Sequence, residues 1–455
     1  MGKHFRQLKL RKTISNFTDA DKSAQRSKIW SLAGPVILAN LSVPLLGAVD
    51  TAVIGHLDDA YNLAAVAIGS TIIQFIYWAF GFLRMGIGGL AAQALGSKDA
   101  PEVRALFTRG ALIGLFVGLV LWAIQSQILW LALNLFDGST ATKSLASLYF
   151  EIRIWSAPAV LVNYCLIGWF IGMQNTRAVL YLQVFMNGLN IVLDLFFVLN
   201  LGWGVAGVAI ATLIAELSAV IIGLLIYRRE VNRFDPGGKS GSVWDVNKLK
   251  RTLGINFDIF IRTVCLLFAF AFFTSQASGF GDTTIAAHLV LMQFQFFLAF
   301  GLDGFAHAAE ALVGNSIGSR NRLALRHAVT VSSKWAAGVA GAYMLVYAIT
   351  GEFIIGLLTS IPEVRFIATD YLIWVIISPA ISVWSFMLDG IFIGATRSAE
   401  MRNGMLISLI IFISAALLLK PIMGYEGVWL AFTFFMFMRA VTLGIFYPRV
   451  EIDAK

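Results

Sequence analysis

The chain has 455 residues, of which 58% are hydrophobic and 13% charged, with a formal net charge of +8. Soluble domains carry roughly one quarter charged residues, so this composition excludes an ordinary soluble fold and describes a polytopic membrane protein. The basic residues fall mainly in the loops, where they report orientation across a bilayer, so no nucleic-acid partner is expected. Cys165 and Cys265 lie inside apolar segments and read as small buried hydrophobes, with no disulfide framework and no metal-ligand spacing in the sequence.

Residues 1–29 are polar and basic, and no small-residue cleavage site follows a short apolar core. They read as a cytoplasmic tail without a signal peptide, the first membrane helix acting as its own insertion signal. Phe5, Leu8, Leu10, Ile14 and Phe17 would give this tail a basic amphipathic surface helix; a disordered tail is the rival reading. A span needs about 20 mostly apolar residues. Such segments occur near 30–54, 63–94, 105–135, 148–172, 178–200, 204–227, 250–279, 284–314, 325–350, 364–395, 398–420 and 426–447. Basic residues crowd alternate loops: the tail, Lys98 to Arg109, Arg177, Arg228 to Arg251, Arg320 to Arg326, and Arg397 with Arg402. The loop after the third span carries Lys143 alone, and those after the first and fifth carry no Lys or Arg, so both termini are expected in the cytoplasm.

The two halves repeat in one register. Gly96 pairs with Gly318, Gly172 with Gly394 and Gly202 with Gly424, each 222 residues apart. The expected fold is therefore all-α, with twelve transmembrane helices in two six-helix lobes related by a pseudo-two-fold axis along the membrane normal. Its parts are a tail (1–29), an N-lobe (30–227), a cytoplasmic linker (228–249), a C-lobe (250–447) and a C-terminal tail (448–455).

Asp50 in the first segment and Asp194 in the fifth are carboxylates in apolar surroundings, where an ionised acid is expensive unless it faces a partner, a cavity or an ion path. Asn190 precedes Asp194 by one helical turn and shares its face. Thr212 on the sixth segment falls at similar depth, about 12 Å from the outer end at 1.5 Å per residue. These four groups could bind a proton between carboxylates or offer oxygens to a hard cation, so sodium at Asp50 and Asp194 stays open beside the proton. A static hydrogen-bonded network is the bland alternative for Asn190 and Thr212. Pro35 opens the first segment and Pro44 lies within it, either as a fixed bend or as a kink that answers Asp50. Pro158 and Pro379 sit mid-span in matching places. In the second half Asp258 and Arg262 stand at i, i+4, and Asp303, His307 and Glu310 share a face. Together they read as a structural ion network centred on Arg262, with a second coupling site as the rival and Asp389 and Arg84 nearby. Asn163, Gln74 and Tyr77 are candidates for a substrate cavity suited to amphipathic or cationic molecules. His56 and His288 read as boundary or packing residues.

These residues resemble the MATE multidrug and toxic compound extrusion family, in its DinF branch. The resemblance rests on VPLLGAVDTAVIGHL (43–57), SAPA (156–159), LNIVLDLFFV (189–198), GWGVAGVAIAT (202–212), DIFIRT (258–263), GLDGFAHAAEALVG (301–314) and LDGIFIGATRSAEMRN (388–403). It implies a V-shaped alternating-access carrier of a bacterial cytoplasmic membrane that exports small organic molecules against inward ion flow. It carries the family's first-helix acid onto Asp50, its Asn-xxx-Asp pair onto Asn190 and Asp194, its sixth-helix threonine onto Thr212 and its bending proline onto Pro35. The sodium-coupled branch has an acid in the middle of the seventh helix, whereas RTVCLLFAF here has none, which favours protons. One chain supplies both lobes, so a monomer suffices. No cofactor is expected, and neither HExxH, a nucleophile elbow nor a phosphate loop supports an enzyme. A lipid-linked precursor flippase, with Arg84 or Arg262 lining a basic cavity, and a passive channel are the remaining alternatives.

Overall fold

The computed structural model describes residues 19–54, 60–135 and 139–455. The first lobe contains α1 (Asp19–Ile54), α2 (Ala60–Ala79), α3 (Phe82–Gly96), α4 (Ala100–Ala123), α5 (Gln125–Leu135), α6 (Thr140–Arg153), α7 (Ala157–Gly172), α8 (Thr176–Asp194) and α9 (Gly204–Phe234). The second contains α10 (Val246–Ser278), α11 (Asp282–Gly318), α12 (Arg322–Leu358), α13 (Pro362–Asp370), α14 (Leu372–Gly394), α15 (Ser398–Met423) and α16 (Tyr425–Asp453). Among the described residues eleven stretches are long and apolar enough to cross a bilayer. The 36-residue α1 covers the expected first span and completes the twelve.

Helices overrun the expected spans, because a helix leaving the hydrocarbon keeps its own hydrogen bonds. α1 begins inside the expected tail, so Pro35 lies within a continuous helix and does not open it. α10 begins inside the expected linker, where Asp245 accepts from the backbone N–H groups of Asn247 and Lys248. α16 runs to Asp453, so the expected C-terminal tail is largely helical. The second span is divided between α2 and α3 at Phe80 and Gly81, and the fourth between α6 and α7 by a 3-10 turn, Ile154–Ser156. Pro158 sits in the first turn of α7, where its missing N–H is harmless, whereas Pro379, one residue off the 222-residue register, lies inside α14. The two prolines therefore do different work. The amphipathic tail residues and His56 lie outside the described residues.

The repeat is written into the backbone as well as the sequence. Lys98 and Arg320 both have left-handed φ (58° and 51°), as do Gln174 and Thr396 (59° and 54°) and Gly202 and Gly424 (68° and 61°). Each pair is 222 residues apart. A left-handed residue just past a helix end satisfies the last carbonyls and stops the helix. The following Asp99 and Asn321 then cap α4 and α12 by accepting from the N–H groups of Glu102 and Ala324.

The lobes meet chiefly through α1 and α3 on one side and α11 on the other. At the end carrying Gly96, Gly318 and Gly394 the contact is backbone on backbone. A Cβ at Gly96 would stand 2.1 Å from the Asn315 carbonyl oxygen, and one at Gly318 2.0 Å from that of Gln93. Gly89 is as tight against Ile393, at 2.1 Å. The Gln93 amide crosses this seam, donating to the Gly394 carbonyl at 3.0 Å and accepting from Arg251 at 3.1 Å.

Because Gly89 abuts backbone that cannot swing aside, Gly89→Ala should destabilise by about 1–3 kcal/mol through overpacking. Gly338, in α12, has nothing within 4 Å. There Gly338→Ala should instead stabilise, by roughly 0.5–1 kcal/mol. Thermal unfolding of the two purified variants reads both signs, and like signs would remove the close-contact account.

Candidate functional site

α8 carries Asn187, Asn190 and Asp194 on one face, spaced by three and four residues, and buries all three, with Asp194 fully enclosed. Asn190 Nδ2 donates to Thr212 Oγ1 of α9 at 3.2 Å, and Thr212 in turn donates to the Val208 carbonyl at 2.9 Å. Asn190 Oδ1 is buried with no hydrogen-bond partner among the described residues. At Asp194 the α-helix ends and widens into a π-helical turn, Leu195–Asn200, a geometry that often marks functional positions because it frees backbone groups. Asn190, Asp194 and Thr212 are thus brought together. Asp50 lies in the last turns of α1, but its side chain falls outside the described residues.

α1 packs along α8 through a polar seam. Asn187 Nδ2 donates to Ser42 Oγ at 2.7 Å, and Gln183 Nε2 donates to Asn187 Oδ1 at 3.1 Å. Lower on the same seam, Pro35 has no N–H, so the carbonyl of Ser31, four residues earlier, loses its helical donor. The Thr176 hydroxyl donates to that carbonyl at 3.2 Å from the first turn of α8. The backbone bond missing at the proline is thereby replaced by a side chain of the neighbouring helix.

Of the cavity candidates, Gln74 is exposed and Asn163 is buried, its Oδ1 without a hydrogen-bond partner among the described residues. Tyr77 is packed inside the N-lobe. It is 5% exposed, and its hydroxyl lies 3.0 Å from Ser156 Oγ and donates to the Arg153 carbonyl at 3.2 Å. Its ring is drawn into the N-lobe interior because a phenol can satisfy its hydroxyl at the break between α6 and α7.

The C-lobe charges pair across helices. The expected Asp258–Arg262 pair within α10 is not formed. Asp258 instead accepts from Arg402 at 2.5 Å and from Ser398 at 2.8 Å, both at the start of α15 or within its first turns. Arg262 donates to Asp389 of α14, which also accepts from Arg439 of α16 at 2.7 Å. Asp303 is half-buried within Coulombic reach of Arg84, Arg262 and Arg439. Inter-helix pairs win because a charge inside the bundle needs a geometrically matched partner, and residues one turn apart on a helix seldom offer it. Glu310 belongs to a separate group that bridges the lobes. Arg84 Nη1 of α3 lies 2.8 Å from His307 Nε2, and His307 Nδ1 lies 3.1 Å from Glu310 Oε2. Arg84 Nη1 also lies 3.1 Å from His307 Nδ1, and because a guanidinium can only donate, the imidazole is the acceptor in that contact. His288 is a packing residue, bonded to the Tyr425 hydroxyl at 2.9 Å.

Three charged residues escaped the sequence reading. Arg153 and Glu216 form a two-pronged pair at 2.5 and 2.8 Å inside the N-lobe, and Arg439 completes the Asp389 group. The signal was available, since Glu216 and Arg439 interrupt long apolar runs in α9 and α16.

The fold and buried-charge pattern define a membrane carrier built from two repeated helical lobes. The MatE family profile matches residues 35–196 and 259–425. The chain is 40% identical over 433 residues to DNA damage-inducible protein F of Escherichia coli, covering 95% of this chain and 93% of that one. It is 26% identical to the probable multidrug resistance protein NorM of Neisseria meningitidis, over 68% of each chain. The outward-facing structure of a multidrug resistance MATE family transporter superposes with a TM-score of 0.83 at 18% identity, over 94% of this chain and 96% of that one. The chain belongs to the MATE family, as a transporter related to the DinF protein and not an enzyme.

Two outcomes follow from these contacts. Thr176→Val strands the Ser31 carbonyl and should lower stability by roughly 1–3 kcal/mol. In a Pro35→Ala background, where the backbone bond returns, the same change should cost much less, a coupling that a double-mutant thermal melt measures. Asp389→Ala leaves two buried guanidiniums without their carboxylate and should cost on the order of 3–5 kcal/mol. Asp258→Ala, at the edge of the bundle, should cost far less in the same melt.

Proposed function

We propose that this chain is a proton-coupled antiporter of a bacterial cytoplasmic membrane, with both termini in the cytoplasm, exporting amphipathic or cationic organic compounds by alternating access between its lobes. The observation that carries this reading is the enclosed carboxylate of Asp194, one turn from Asn190 and its partner Thr212, in a seam shared with the helix that bears Asp50. A carboxylate in such surroundings is best tolerated in its neutral form, so it takes up a proton readily and releases it when a cationic substrate or an opened water path stabilises the anion. Substrate and proton then compete for the N-lobe. Proton uptake from outside neutralises Asp50 and Asp194, α1 bends at Pro35, and the substrate leaves outward. The ligand shifts the equilibrium only through its different affinity for the two states.

Sodium is the second reading, since carboxylate, amide and hydroxyl oxygens together suit a hard cation. The flippase reading has less support. It needs cations free to meet lipid phosphates, and Arg262 is engaged by Asp389 while Arg84 is engaged by His307.

Purified protein in liposomes should expel a fluorescent cationic dye when the side opposite the linker is made acidic, and the dye flux should fall to background in both Asp50→Asn and Asp194→Asn. A flux that follows a sodium gradient and ignores pH would transfer the same oxygens to the metal ion. Unchanged pH-driven efflux in both variants would end the carboxylate mechanism.

A further inference from the structure

On the outer wall of the C-lobe, away from the lobe interface, α12, α14 and α16 enclose a groove of about 540 Å³. Arg326 and Glu451 stand at its lower end, Thr330 and Ser333 line its middle, and Lys334 and Trp384 stand higher up. Lys334 is exposed, lies about 12 Å further along α12 than Arg326, and falls within the apolar span. Among the described residues it makes no ion pair or hydrogen bond. A lysine on a lipid-facing wall at that depth is expensive unless its charge is met. Bending its stem toward the membrane surface brings it to Arg326, a like charge. Glu451, the carboxylate of the groove, is already shared by Arg322 at 2.6 Å and by Arg326 at 2.6 and 2.9 Å.

The repeat supplies an internal comparison. One repeat earlier, Arg104 and Thr108 of α4 line a smaller groove of about 370 Å³ beside α9, each 222 residues before its counterpart in the C-lobe groove. The residue 222 before Lys334 is Leu112, 40% exposed, as suits a residue facing acyl chains. The same fold position thus carries an ordinary apolar side chain in one lobe and an unmatched cation in the other. Hydroxyls at positions 330 and 333 and the half-exposed Trp384 ring complete a wall that is polar below and apolar above. That gradient matches a phospholipid lying upright, headgroup low and chains high.

We infer that this groove is a binding site for an anionic phospholipid, whose phosphodiester is held by Lys334 above the Glu451-bound Arg326 and whose acyl chains run past Trp384. The inference is independent of the transport reading. It needs only that the α12 N-terminal end faces a leaflet containing acidic lipid, as basic pockets between membrane helices commonly do.

The test uses the full chain purified in detergent, with bound lipid counted by native mass spectrometry and titrated by thermal shift. Phosphatidylglycerol should bind and stabilise more than phosphatidylcholine. Lys334→Leu, which installs the residue of the first lobe and should fold normally, should weaken phosphatidylglycerol binding about fivefold, near the effect of one basic residue at a membrane surface. Phosphatidylcholine binding should be unmoved by that change, and Lys334→Arg should keep the preference. Equal binding of the two lipids, a preference that survives Lys334→Leu, or full stabilisation by inorganic phosphate alone would each overturn the site.

Discussion

At the end carrying Gly96 and Gly318, α3 and α11 meet backbone against backbone, and the arrangement of both lobes follows from that contact. In hydrocarbon there is no hydrophobic force to draw helices together, so close packing of small residues has to do it. Gly96 on one side and Gly318 on the other bring carbonyl oxygens to where a Cβ would stand, and Gly89 meets the Ile393 carbonyl of α14 in the same way. The Gln93 amide then ties the seam with side-chain bonds. From Gly96 up to Arg84 is twelve residues, about 18 Å of helix, and at the top of this stretch Arg84 reaches His307 and Glu310. The tight end is therefore a tall contact with a polar lock above it, not a single point. A rocking motion between the lobes has to part both.

The embedded charges divide by what they touch. Asp389 is gripped by two guanidiniums from different helices, and Arg153 and Glu216 pair through two bonds. Removing one partner from such a group strands the other, so these groups fix the helix register and resist change. The α8 face is of another kind. Asn187, Asn190 and Asp194 run along one helix as amides and a carboxylate, and the bonds of the two amides go to the neutral groups of Gln183, Ser42 and Thr212. Groups held that lightly can exchange partners at modest cost, which is the property an ion-coupling site requires.

Much of this was legible in the sequence because the membrane imposes a simple rule. A run of apolar residues must be a helix, since lipid cannot satisfy an open backbone. The 222-residue register needed only three glycine pairs, and it reappears in the left-handed residues that end matched helices. The Asn190–Asp194 face followed from helical spacing. What the sequence left unread were the pairings. Asp258 and Arg262 sit one turn apart, and nothing in one dimension says that each prefers another helix. Arg439 and Glu216 stood visibly inside apolar runs, yet their partners lie 50 and 63 residues away in the chain. The partners of Tyr77 were unread too, because an amphipathic ring suits a cavity and a packed seam equally, and its hydroxyl meets the Arg153 carbonyl and the Ser156 hydroxyl beside the break at Ile154–Ser156.

The place of Pro35 bears on how a proton could move a helix. α1 is continuous from Asp19 to Ile54, so a change of angle at Pro35 moves its far end, with Pro44 as a second point that lacks a backbone bond. Asp50 is fifteen residues beyond the proline, a lever of about 22 Å. A rotation of roughly ten degrees at the base would displace the carboxylate by about 4 Å on that geometry, enough to exchange one set of hydrogen-bond partners for another. The pivot is set where α1 lacks a backbone bond and where Thr176, on the helix that also carries Asp194, makes good the loss. The base and the middle of the lever are thus fastened along one neighbour, at its first turn by Thr176 and further along by Asn187 through Ser42. On the proposed mechanism, protonation need not be relayed through a chain of side chains. It needs only to change how strongly the upper end of α1 is held against α8, and the proline at the lower end converts that change into an angle.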